Sequence, residues 1–269
     1  MALMAMVMRG SNGSLPQWRA SAYILCMSHE VHGLAAFYAS APGAAARRML
    51  GQGLRLMWPE LRGMDVLGVG WATPYLPLWS DRAARSVALV PAPIAWPTPP
   101  APAAVMPEAL LPLPDLSMDR ILLVHALETV QAPEALLREC WRVLRDDGRL
   151  MVVVPNRLGA WSLFDHTPFG QGRPWSRGQL LRLLEGRLFR VERVRPALFA
   201  PPLPWHWAFT GTSMWEGVGR AALPRLSGLV MAEAVKDVLG AVPAGEAAPL
   251  MVRVPVMHGA TGASKRVGG

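Results

Sequence analysis

Residues 119–154 constrain the fold more than any other part of the chain. Asp119-Arg120 leads into Ile121-Leu-Leu-Val124, a short apolar run that stops at His125. Pro133 then opens a segment in which Leu136, Leu137, Cys140, Trp141 and Leu144 recur at helical spacing, forming one apolar face. Leu150-Met-Val-Val-Val154 is a second apolar run, closed by Pro155. Strands this apolar have both faces buried, which requires helices on both sides of a parallel sheet. The order strand–helix–strand is a βαβ unit, and its crossover is expected to be right-handed.

The flanking segments extend this pattern. Residues 33–58 read as helical with a break at Pro42-Gly43, and Met64–Val69 reads as a strand running into a glycine-containing turn. A helix is expected over Pro74–Ala84, with proline tolerated in its first turn, and a buried strand over Ser86–Val90. From Pro91 to Pro107, prolines at 91, 93, 97, 99, 100, 102 and 107 forbid a regular helix, so a loop or polyproline segment is expected there. Asp146-Asp-Gly148 is expected to end the helix of the βαβ unit, with Gly148 in a left-handed cap. Ser176 and Gln179 make a capping box for a helix that Gly186 closes. Strands are expected over Leu188–Val194 and Gly228–Val235. The expected architecture is one Rossmann-like, doubly wound α/β domain with a mostly parallel sheet over residues 31–240. Residues 1–30 and 241–269 are expected to be disordered extensions.

Composition limits the partners. Nothing approaches eighteen uninterrupted apolar residues, so no membrane span is expected. The formal charge is +8, but only Lys236 and Lys265 are lysines and the arginines are scattered singly. A phosphate-binding surface needs a patch, so a nucleic-acid partner is not expected. Cys26 and Cys140 lie far apart and suit a cytoplasmic protein with reduced thiols. No His/Cys spacing suggests a metal site.

Three blocks, in order, resemble the class I S-adenosylmethionine (SAM)-dependent methyltransferases of the UbiE/type-11 group. They are Val66-Leu-Gly-Val-Gly-Trp-Ala-Thr73, then Leu111-Pro-Leu-Pro-Asp-Leu-Ser-Met-Asp-Arg-Ile121 running on into Val124-His-Ala-Leu-Glu128, then the helix and turn Leu136–Leu150. The third is the most specific, because Arg-Val-Leu-x-x-x-Gly-Arg-Leu is more than a generic amphipathic helix. The resemblance implies a class I methyltransferase fold, SAM as cofactor and methyl transfer to a small-molecule or protein acceptor. It places Gly68, Gly70, Trp71, Glu108 and His125 along the cofactor.

The sequence departs from the family pattern at several of those positions. Gly68 stands where an acid is usual, Ala72 and Pro74 stand where glycines are usual, and Val90-Pro91 takes the place of the ribose-binding carboxylate. A catalytically inactive binding or scaffold protein with the same fold is therefore the alternative expectation. The long loop after Val154 is the expected substrate region, since open sheets bind ligands beyond the carboxyl ends of their strands. Its candidate contacts are Arg157, Trp161, His166 and Arg173. No nucleophile–base order or paired carboxylate stands out, and Glu128 reads as a helix-surface or structural carboxylate, not a base.

Overall fold

The computed structural model describes residues 33–91, 103–107, 110–163, 169, 173–199 and 227–238. Two helices come first, α1 over residues 33–39 and α2 over Ala41–Met57. Ser40 separates them: its backbone is extended and its side chain accepts a hydrogen bond from the Gly43 amide, so it caps α2. Pro42 sits in the first turn, where an amide proton would have no partner. The remaining α-helices among the described residues are α3 (Pro133–Val143) and α4 (Arg177–Glu185). The capping box of Ser176 and Gln179 starts α4, as the sequence predicts.

Among the described residues seven strands form one sheet: β1 (Asp65–Gly70), β2 (Arg85–Pro91), β3 (Ala103–Met106), β4 (Met118–Val124), β5 (Leu144–Pro155), β6 (Phe189–Ala197) and β7 (Leu229–Lys236). Their order is β3-β2-β1-β4-β5-β7-β6. β1 to β5 pair in parallel, and β7 runs antiparallel between β5 and β6. Alternation along the central strands builds two cores. Leu122, Val124, Met151 and Val153 face α1 and α2, while Ile121, Leu123, Leu150, Val152 and Val154 face α3 and α4. The layers are those of the expected doubly wound domain. Among the described residues no helix is long and apolar enough to cross a membrane.

A buried carboxylate fastens the antiparallel side. Glu233, fully buried on β7, accepts hydrogen bonds from Trp58 Nε1 (2.8 Å) and from Arg193, with Arg149 3.5 Å away. Burial alone would raise its pKa, but these donors and charges outweigh it and hold the carboxyl below the usual glutamate value. A second clamp holds residues 111–115 against α3. Arg142 donates to the carbonyls of Leu111 and Leu113 and to Asp115 and Glu139, and Glu139 in turn accepts from the Leu111 amide.

Three local expectations are corrected. Residues 74–84 hold turns and a single 3-10 turn, Leu76–Leu78, instead of an α-helix. Pro77 has no amide to donate to residue 73, and the bonds that close around it are i→i−3, Leu78 to Tyr75 and Trp79 to Leu76. Within the proline-rich stretch, Ala103–Met106 is an edge strand paired with β2. Four residues free of proline lie between Pro102 and Pro107, and an edge strand needs partners on one side only. The third correction concerns the end of α3. The helix stops at Val143, β5 begins at Leu144, and Gly148 is an ordinary strand residue, not a left-handed cap. A register shift against β4 between Met118 and Arg120 accommodates the Asp146-Asp-Gly148 segment.

Candidate functional site

The chain order reverses between β1 and β4. From β1 it winds outward through β2 to β3, then returns to β4 and continues the other way. Open sheets bind ligands at such a switch point, at the carboxyl ends of the strands. Here those ends are Gly70 and Val124, paired in register.

The turn leaving β1 is tight for reasons of its own packing. Gly70 has φ +74°, and a Cβ there would lie 2.5 Å from the Val124 carbonyl oxygen and 3.0 Å from Ala126 Cβ. The next amide, Trp71 N, donates to that same carbonyl at 2.7 Å. A Cβ on Gly68 would meet Ala72 Cβ at 2.9 Å and Leu76 at 3.1 Å. Both glycines thus let the turn fold back on itself against β4. Trp71 is buried, and its ring stacks on Tyr38 of α1 at 5.3 Å and 19°.

His125 follows β4 with φ +51°, a left-handed conformation uncommon for a residue with a side chain. The Thr129 hydroxyl donates to its carbonyl at 2.9 Å, and its amide donates to the Val153 carbonyl at 3.1 Å. This backbone setting aims the imidazole into the space under α1, where it is 1% exposed. Two hydrogen bonds fix the ring. Nδ1 lies 2.6 Å from Glu128 Oε1, and Nε2 lies 2.8 Å from the Tyr38 hydroxyl. A carboxylate only accepts, so Nδ1 carries the proton and donates to Glu128, while Nε2 accepts from the Tyr38 hydroxyl. The second carboxylate oxygen, Glu128 Oε2, is buried with no hydrogen-bond partner among the described residues.

Aromatic rings enclose this polar chain. Phe169 stacks on His125 at 5.5 Å and 28°, and Trp161 and Phe37 meet Phe169 edge-on. Tyr75, in the turn after β1, is also buried. Burial, the neighbouring Tyr75 phenol and the Glu128 carboxylate push the Tyr38 phenol well above the usual tyrosine pKa, so it stays protonated.

The structure brings Gly70, Trp71 and His125 to one place and adds Tyr38, Tyr75, Glu128 and Phe169. Leu34, Phe37 and Tyr38 recur at helical spacing, a pattern that also describes an ordinary core helix, so α1 gave no separate sign. The His125-x-x-Glu128 spacing at the end of an apolar strand was the available signal for the dyad. Among the candidate substrate contacts, Trp161 is buried in the aromatic cluster while Arg157 and Arg173 are exposed. The ends of their loop are tied together: the Arg157 amide donates to the Trp175 carbonyl (3.1 Å) and the Trp175 amide to the Pro155 carbonyl (3.2 Å). Glu108 and His166 lie outside the described residues. So does the residue that follows Pro91, the last residue of β2.

Residues 51–152 match the family model described as a methyltransferase domain, of type 11. A Mycobacterium tuberculosis protein named "Probable S-adenosylmethionine-dependent methyltransferase" is 46% identical over 50 residues, 19% of this chain. That match spans 18% of the relative's own length. Among solved structures, a complex described as that between "the Haloferax volcanii Trm112 methyltransferase activator and the putative methyltransferase" aligns with a TM-score of 0.54 at 19% identity, over 76% of this chain and 96% of that one. A SAM-dependent methyltransferase from Thermotoga maritima aligns at 0.52 and 19% identity, over 78% and 99%. One from Archaeoglobus fulgidus aligns at 0.51 and 18%, over 71% and 94%. At these identities the structural likeness shows the fold.

Proposed function

We propose that this chain, whose residues 51–152 match the methyltransferase-domain family model, is a SAM-dependent methyltransferase with its site at the β1–β4 switch point. The observation that carries this reading is the buried, unpartnered Glu128 Oε2 among aromatic rings. A carboxylate taken out of water needs a compensating charge. SAM presents two cations, a sulfonium and an α-ammonium, and both suit a carboxylate and aromatic faces. The residues present therefore fit the methionine end of SAM.

The fit differs at the other end. β2 finishes on Val90-Pro91, neither of which offers a carboxylate to a ribose. Grip on the cofactor then rests on the turn Gly68–Trp71, whose backbone runs along the switch point, and on Glu128 with His125. SAM, once bound, supplies an electrophilic methyl group. The chain's own task is to hold the acceptor in line in a dry pocket, which is the larger part of catalysis for a reaction of this kind. Glu128 keeps His125 in the tautomer whose Nε2 accepts a proton. Arg157 and Arg173, exposed on the tethered loop, are the candidate contacts for the outer part of the acceptor.

A catalytically inactive scaffold is less consistent with the polar cluster, because a protein without a ligand has no use for an uncompensated buried carboxylate oxygen. Thermal-shift measurements with SAM, S-adenosylhomocysteine and NAD test the reading. It expects stabilisation that saturates with the first two and none with NAD. Equal shifts with NAD, or none with any of the three, would overturn it.

A further inference from the structure

A phenol already sits on the histidine–carboxylate dyad. The Tyr38 hydroxyl donates to His125 Nε2 at 2.8 Å, His125 Nδ1 donates to Glu128 at 2.6 Å, and the Tyr38 ring lies flat on Trp71 at 5.3 Å and 19°. The phenol comes from α1, whose last residue directly precedes the cap of α2. Tyr38 cannot itself be the group that reacts. A residue methylated at each turnover would end the reaction.

Resting on the methyltransferase reading above, we infer that Tyr38 occupies the acceptor's place and that the acceptor is itself a phenol, which displaces Tyr38, stacks on Trp71 and gives its hydroxyl proton to His125 Nε2. The chemistry balances. The acceptor O–H bond breaks and its proton passes to Nε2, forming an imidazolium that the Glu128 carboxylate stabilises. The acceptor oxygen then bonds to the sulfonium methyl carbon as the carbon–sulfur bond breaks and its electron pair stays on sulfur. The products are an aryl methyl ether and S-adenosylhomocysteine, and His125 returns its proton to water. Other acceptor classes fit less well. A carboxylate would meet the Glu128 charge and needs no base, an aliphatic alcohol leaves the face of Trp71 uncovered, and an ammonium group has no lone pair to react. His125 is the catalytic residue of this scheme; Glu128 positions it through Oε1, while Oε2 keeps the cofactor role proposed above.

The test uses the full chain and 4-methylphenol, the side-chain fragment of tyrosine. In the absence of SAM, calorimetry should show saturable 4-methylphenol binding to Tyr38→Ala and at least tenfold weaker binding of toluene. With methyl-labelled SAM, the wild-type chain should label 4-methylphenol in preference to benzylamine and phenylacetate. His125→Asn should lower kcat about a hundredfold, a loss that persists at saturating SAM. At saturating SAM, Glu128→Gln should lower kcat with a smaller change in the KM for 4-methylphenol, and Glu128→Asp should restore part of it, which a merely structural role would not produce. Labelling of the amine or the carboxylate but not the phenol would overturn the proposal while leaving the methyltransferase reading intact. So would an unchanged kcat in His125→Asn. If SAM fails to bind, the methyltransferase reading fails, and the binding arm still decides the phenol site: a folded Tyr38→Ala chain that ignores 4-methylphenol refutes it. Should Tyr38→Ala not fold, Tyr38→Phe, which frees Nε2 and keeps the ring, replaces it, and a folded Tyr38→Phe chain that transfers no methyl to 4-methylphenol counts against the proposal in the same way.

Discussion

The carbonyl oxygen of Val124 accepts a hydrogen bond from the Trp71 amide at 2.7 Å, and it lies 2.5 Å from where a Cβ on Gly70 would stand. One carbonyl thereby binds the turn after β1 to the end of β4 and leaves no room for a side chain between them. The switch point is built on this contact.

Gly70→Ala should therefore be costlier than an alanine at any other positive-φ glycine. Gly63 has φ +70° but nothing within 4 Å of its missing Cβ. Gly63→Ala should cost about 1 kcal/mol from backbone strain alone, whereas Gly70→Ala adds a steric clash and should cost at least about 3 kcal/mol. Denaturant midpoints of the two variants check this. Equal losses would show that the turn is not held as described.

The pH dependence of stability follows from two carboxylates held below their usual pKa. Glu139 is lowered chiefly by its hydrogen bond from Arg142, and Glu233 is lowered because Arg193, Trp58 and Arg149 outweigh its burial. A depressed folded pKa means a contribution fully present above the unfolded value, about 4.3 for glutamate, and lost as pH falls through the folded value. The melting temperature should hold near neutrality and fall steeply on acidification below about pH 4. Glu233→Gln should lower stability at pH 7 by about 3 kcal/mol, because it leaves Arg193 beside a neutral group. It should also flatten the acid limb. An unchanged acid limb would mean that Glu233 is not the carboxylate being titrated.

How far the sequence discloses this molecule depends on what each residue's role requires. Apolar runs in β4 and β5 and the stripe of α3 follow from burial on two faces of one sheet, so alternation and period were enough to read the layers. The capping box of Ser176 and Gln179 is local chemistry and was equally legible. Pro77 overrode an otherwise helical pattern over 74–84. Proline density hid β3, because four residues cannot display a period. The dyad of His125 and Glu128 was half visible. Their spacing is local, but the role of Glu128 depends on Tyr38, eighty-seven positions from His125, and nothing in a linear pattern reports a contact of that separation.

Arg142 supplies a further check on how the second sequence block is held. Its planar guanidinium reaches two carbonyls and two carboxylates at once. A lysine cannot reproduce that fork. Arg142→Lys should destabilise the chain nearly as much as Arg142→Ala, each by about 2 kcal/mol, read from urea midpoints. Full rescue by lysine would reduce the clamp to a simple charge effect.

Cys140 is fully buried on α3, and burial raises its thiol pKa far above the usual value. In a Cys26→Ser background it should not react with a thiol-specific reagent until the chain unfolds. The labelling rate should then follow global opening and rise with denaturant. Rapid labelling of the folded chain would contradict the packing of α3 against the sheet.

Cofactor binding at the switch point is the centre of the account, and calorimetric titration of the folded full chain with SAM measures it directly. The account predicts one saturable site per chain, with affinity reduced at least tenfold in Glu128→Gln, where the unpartnered carboxylate oxygen of Glu128 becomes a neutral amide group. No heat from SAM in a folded sample at millimolar ligand, or an affinity indifferent to Glu128→Gln, would contradict it.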